Sequence, residues 1–145
     1  MSFKARAKAV WALMVLAALM LAPAAQASLQ IKLDEGVVQP IPIAITDFFG
    51  ANARDQQTAA QVAAVVRSDL ERSGLFMPLD RASFIEKIPN FGTVPTFNSW
   101  RVIKAEGLVT GQAALLPDGQ LQVDFRLWDI FSEKQVVGMS FKTTP

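Results

Sequence analysis

Acid–base chemistry in this chain would have to come from carboxylates, because histidine and cysteine are both absent. Without imidazole there is no Ser-His-Asp relay and no His metal ligand, and without thiol there is neither a sulfur nucleophile nor a disulfide. Asp124 with Asp129, and Asp34 with Glu35, are the carboxylate pairs to consider. Asp124 sits on the polar side of an alternating strand pattern, and Asp34 and Glu35 precede Gly36 in a turn. Both pairs read as solvated charge, with no metal-ligand spacing around them. Ser73-Gly74 and residues 107–111 (GLVTG) lack the strand-to-helix glycine spacing that cradles phosphate. Arg101 and Lys104 stand one helical turn apart and suit either an acidic partner or a solvated helix face. An enzyme would have to lean on isolated carboxylates such as Asp47 or Asp80. The pattern therefore yields no catalytic residue, no cofactor site and no metal site.

Aromatic residues carry more of the surface-forming potential. Trp100, Trp128, Phe48, Phe49 and Phe131 are expected mostly in the core or at a domain interface. Phe91 and Phe97 lie in or beside a Pro/Gly loop, where packing against another domain is the expected role outside the core.

The elements that must position these groups follow a removable leader. Lys4, Arg6 and Lys8 make a basic start, residues 10–21 are an unbroken apolar run, and Ala25-Gln26-Ala27 places small residues where a signal peptidase reads. Pro23 ends a run too short to span a bilayer. Cleavage is expected after Ala27, leaving a mature chain of 118 of the 145 residues, enough for one domain. The leader holds three of the 14 basic residues, leaving 11 against 13 acidic ones. The faintly basic whole-chain charge is thus a property of the leader and gives no ground for a nucleic-acid partner. With no cysteine there is no lipid attachment, so export to the periplasm without membrane insertion is the expectation.

Residues 28–33 (SLQIKL) alternate apolar and polar in strand fashion, and Asp34-Glu35-Gly36 breaks the pattern. A second extended stretch covers 41–48, with Pro42 at its start or on an edge, and 49–54 read as a loop. A helix is expected from Gln56 to Ser73 with Asp55 as N-cap and Gly74 as its stop. Ala59, Val62, Ala63, Val66 and Leu70 form its apolar stripe. Residues 75–79 make a short edge strand. Asp80 should cap a turn over 81–86 through the Ser83 amide, and 89–95 form a Pro/Gly loop. A second helix over 98–105 should end at Gly107. Strands over 108–116, 121–127 and 136–142 follow, joined by the tight turns Pro117-Asp118-Gly119 and Ser132-Glu133-Lys134. The expected fold is α/β (α+β): a mixed sheet whose last three strands form an antiparallel meander, with two main helices packed on it.

Five phrases, in this order, resemble the N-terminal domain of the TolB family: an extended mature start ending in DEG, a strand ending ITDF, the run VVRSDLERSGLF followed by PLDR, the segment VTGQ, and PDGQLQVDFRLWD. The resemblance covers essentially the whole chain. It implies a non-enzymatic periplasmic adaptor of the Tol–Pal system, which links inner-membrane Tol components to the outer membrane and supports envelope integrity and constriction at division. It implies further that the mature N-terminus binds a TolA-like C-terminal domain through Ser28, Leu29, Gln30, Ile31, Lys32, Leu33, Asp34, Glu35 and Gly36. An alternating peptide of this kind can add a strand to an exposed sheet edge; equally, it can be an edge strand of its own domain. The domain proper then covers 37–145. The β-propeller of the family does not follow within this sequence, so Pal is an expected partner only where a propeller is supplied. The alternative is a periplasmic binding or regulatory domain outside the Tol system, serving cell-wall synthesis or an export assembly.

Overall fold

The computed structural model describes residues 39–144. The leader, its cleavage point and the nine-residue segment 28–36 lie outside the described residues, as do Asp34 and Glu35. Within 39–144 the elements are β1 (Ile41–Ile45), α1 (Ala53–Arg72), β2 (Phe76–Pro78), a 3-10 turn (Arg81–Ser83), α2 (Phe97–Val102), β3 (Gly107–Leu115), β4 (Leu121–Asp129) and β5 (Lys134–Thr143).

The strands form one mixed sheet of order β2-β1-β3-β4-β5. β1 runs parallel to β2 and β3, and β3, β4 and β5 form the antiparallel meander. Pro42 lies in a central strand, near its start. The Ile41 amide donates to the Leu75 carbonyl on the β2 side, so by alternation the missing N–H of Pro42 points to the other side. β3 begins only opposite Ile43, so no ladder bond is lost there. β1 ends at Ile45, earlier than its apolar pattern extends. Pairing continues irregularly beyond it, through Thr46 N–H to the Val109 carbonyl at 3.1 Å and Phe49 N–H to the Gly111 carbonyl at 2.8 Å.

α1 starts three residues before the expected Gln56. Asn52, not Asp55, is its N-cap: its backbone is extended and its side chain accepts from the Asp55 amide at 2.9 Å. Either residue type can cap; only Asn52 has the extended backbone that the position requires. The helix ends at Arg72, and Gly74 follows at φ 71°, the left-handed residue expected after a C-cap. Fully buried Ala59 and nearly buried Ala63 let α1 lie close over Ile43, Ile45, Val109 and Ala113, with Val62, Val66 and Leu70 packed around them. Phe48 fills the space above Gly111, where a β-carbon would come within 2.5 Å of its ring.

The opposite face is covered by the stretch between β2 and β3. Trp100, Ala44, Ala105, Leu108, Trp128 and Ile130 form its core, with Leu79, Phe84, Ile88, Phe97 and Ile103 packed on them. Two expectations fail here. α2 is shorter than 98–105 because Lys104 adopts φ 63°, so the stop is a lysine and Gly107 instead opens β3. Asp80 accepts from the Ala82 amide, while the Ser83 amide reaches the Asp80 backbone carbonyl, giving a single 3-10 turn instead of a helix to residue 86.

Candidate functional site

The charged residues singled out from the sequence are drawn into separate structural contacts. Asp124 and Asp129 lie five positions apart on β4, hence on opposite faces and about 17 Å apart along the strand. Burial alone would raise the pKa of Asp124. Hydrogen bonds from Ser140, Gln112 and Gln122, with the Lys142 charge, outweigh that and hold it below the usual carboxylate value. For Asp129, burial is likewise outweighed, by bonds from the Ser132 amide and hydroxyl and the Phe131 amide, and its value also falls. Both are therefore held ionised, unlike a general acid near neutrality. Asp47 pairs with Arg81 on the surface. Asp80 serves its turn.

Arg101 donates to the Ile130 carbonyl and pairs with Glu133, so it ties α2 to the β4–β5 turn and does not act with Lys104, whose backbone closes the helix. Glu86 is fully employed. Its carboxylate accepts from the buried Trp100 indole at 2.7 Å and from the Thr96 amide at 3.0 Å. Ser73-Gly74 is a helix end, and Gly107 and Gly111 lie within β3, so neither stretch forms a phosphate cradle. Among the described residues no group of three metal-capable side chains converges, and no helix is long and apolar enough to cross a membrane.

The aromatic expectations divide. Phe48, Trp100 and Trp128 are buried. Phe97 packs edge-on against Trp128, with centroids 6.0 Å apart. The Arg126 guanidinium lies 4.3 Å over the Phe91 ring and donates to the Phe91 carbonyl. Phe91 and Phe97 are thus engaged within their own domain, Phe97 against the core and Phe91 against Arg126. Phe49 and Phe131 remain on the surface, the latter 64% exposed.

What the structure leaves open is apolar surface. Residues directly opposite in a ladder share a face, so Val137, Met139 and Phe141 of β5 stand beside Leu127, Phe125 and Val123 of β4 on the α1 side. Phe125 and Phe141 stack with centroids 5.8 Å apart. α1 lies over β3 and β2; among the described residues no second helix covers β4 and β5 on this face, where Leu121, Val123, Phe125 and Leu127 are half-buried. Between α1 and the β3–β4 turn is a groove of about 560 Å³ lined by Arg54, Gln57, Gln61, Val62, Val65, Leu115 and Leu121, among others. Sequence periodicity missed it. The one available signal was Val65, an apolar residue off the buried stripe of α1.

A five-stranded mixed sheet with a helical cover on each face defines a small α+β domain. The chain belongs to the TolB amino-terminal domain family, whose sequence model matches residues 29–136. Among solved structures it is similar to TolB from Acinetobacter baumannii, with 22% identity and a TM-score of 0.55 over 73% of this chain. It spans 24% of the length of that TolB chain. It is also similar to the LpoB C-terminal domain from Escherichia coli (11% identity, TM-score 0.54, 77% of this chain and 88% of that one) and to lipoprotein GNA1162 from Neisseria meningitidis (10%, 0.55, 73% and 81%). At these identities the likeness establishes a common fold.

Proposed function

We propose that the protein is a non-enzymatic periplasmic adaptor of a Tol–Pal-type system, which contacts the C-terminal domain of a TolA-like partner through residues 28–36 and so helps couple the inner and outer membranes. The carrying observation is membership of the TolB amino-terminal domain family, with a match that begins at residue 29, inside that segment. The engagement of Asp47, Asp80, Glu86, Asp124 and Asp129 in local structure supports the non-enzymatic part. In this reading Leu29, Ile31 and Leu33 enter pockets while the peptide backbone pairs with a sheet edge of the partner.

The test is a titration of the exported chain against the TolA C-terminal domain. Replacing Leu29, Ile31 and Leu33 together by Ser should weaken binding by well over about tenfold, since each lost apolar contact removes at least that much. Replacing Gln30 and Lys32 by Ala should leave it within about threefold, as expected of rim positions. Equal effects of the two sets would contradict strand addition. A regulator outside the Tol system needs no free N-terminal peptide and would be indifferent to both.

A further inference from the structure

We propose that Arg126 and Gln135, on the face of the sheet opposite α1, hold a single carboxylate group in a notch above Gly138. Arg126 points away from α1 because it alternates with Phe125 and Leu127, which pack on the α1 side. Its Nη1 donates to the Phe91 carbonyl at 3.0 Å, and the Phe91 ring lies against the guanidinium. The other N–H donors of this half-buried side chain meet no acceptor among the described residues. They open to solvent.

A glycine and a bulge build the notch. Gly138 stands directly opposite Arg126 in the β4–β5 ladder, so no side chain fills the space beside the arginine. Residues three apart on a regular strand face opposite sides. The register shift between Leu127 and Trp128 instead pairs Gln135 with Trp128 and Gly138 with Arg126, which puts both on one face. Exposed Gln135 therefore lies over the glycine: its Nε2 is 2.6 Å from the point where a Gly138 β-carbon would sit. Among the described residues its carboxamide has no hydrogen-bond partner. A guanidinium and an amide NH2, from strands about 5 Å apart, thus flank the same glycine with donors to spare.

Charge selects a carboxylate. Asp124, two residues before Arg126 on the same face, already accepts from Gln112 at 2.7 Å and from Gln122 at 3.2 Å, with the Lys142 charge beside it. Among the described residues the ion pairs join Arg72 to Asp69, Arg81 to Asp47 and Arg101 to Glu133, so Arg126 has no carboxylate of its own. A guanidinium edge offers two parallel N–H groups, matched to the two oxygens of a planar carboxylate. A doubly charged phosphate gains less, because Asp124 stands only about 7 Å along the strand.

The site lies within residues 39–144 and is independent of the N-terminal segment and of the adaptor reading. Acetate is the first probe, titrated into the full exported chain against chloride at constant ionic strength and read by nitrogen–proton NMR. Saturating shifts are expected at the Arg126 Nε–H, the Gln135 side-chain amide and the Gly138 amide. Half-saturation should fall at about 10 mM, as suits one charge-assisted contact. In Gly138→Ala the added carbon meets only the movable end of Gln135. That variant should fold normally and weaken acetate at least about fivefold by filling the notch. Arg126→Lys keeps the charge without the fork and should weaken it by a similar factor.

Two capped peptides separate the sources of the carboxylate, one carrying an Asp side chain and an amidated end, the other a free C-terminus and no acidic side chain. Tighter binding than acetate by either makes the ligand a polypeptide carboxylate of that kind. Parity with acetate makes it a free small carboxylate. Shifts that rise without saturating, that persist in Gly138→Ala, or that are matched at exposed Arg54 would overturn the proposal. Tighter binding of inorganic phosphate than of acetate would overturn it as well.

Discussion

The Asp55 carboxylate accepts the backbone amide of Leu115 at 3.0 Å, joining residues 60 positions apart. Its other oxygen accepts from Asn52 Nδ2 at 2.7 Å, and its own amide donates to Asn52 Oδ1. A side chain only 5% exposed thereby closes the first turn of α1 and pins that turn to the end of β3. Asp55→Ala should lower stability by about 2–3 kcal/mol, because it strands a Leu115 amide as well as opening the cap. Asp55→Asn, which keeps an acceptor for Leu115, should cost less. Urea midpoints of the two variants check the order.

Gly111→Ala tests how closely Phe48 is seated. The added carbon would sit 2.5 Å from a ring that is 1% exposed and held beneath α1. The expected cost is about 1–3 kcal/mol, as for overpacking generally. A Gly111→Ala, Phe48→Leu double variant should cost less than the sum of its parts, read by thermal unfolding.

Glu86→Ala should destabilise by about 1–3 kcal/mol, since it leaves the indole N–H of fully buried Trp100 and the Thr96 amide without their acceptor. Glu86→Gln retains a carbonyl oxygen at that place and should recover a good part of the loss. The Trp100 environment reports both by fluorescence.

Asp124 has a folded pKa below its unfolded value, and Asp129 likewise. Each contributes stability that is present above about pH 4 and is lost as pH falls through the depressed folded value. The wild-type urea midpoint should therefore drop below about pH 4, and Asp124→Asn should show a shallower drop over the same range. An identical acid limb in the variant would remove Asp124 from the account.

The meander was readable because Leu121, Val123, Phe125 and Leu127 alternate cleanly with polar residues, and a two-sided environment permits no other register. The Gly74 stop was readable because the chain needs φ > 0 there. The N-cap was not. Asn52 and Asp55 are both capping types three apart, and only the backbone decides which one accepts and which reciprocates. The end of α2 was missed because a lysine, Lys104, takes the left-handed conformation usually left to glycine. The setting of Phe91 was not readable because its partner, Arg126, lies 35 residues away on β4. The open apolar face was hidden for a related reason: Met139 and Phe141 look like core residues until the sheet order places β5 at an edge beyond the reach of α1.

The adaptor account turns on one short peptide. Isothermal titration of the exported chain against the TolA C-terminal domain, with residues 28–36 present and then removed, tests it most directly. The account predicts saturable one-to-one binding that disappears with the segment while the thermal melt of the remaining domain stays unchanged. Binding that survives the deletion, or no binding by either form, would contradict it.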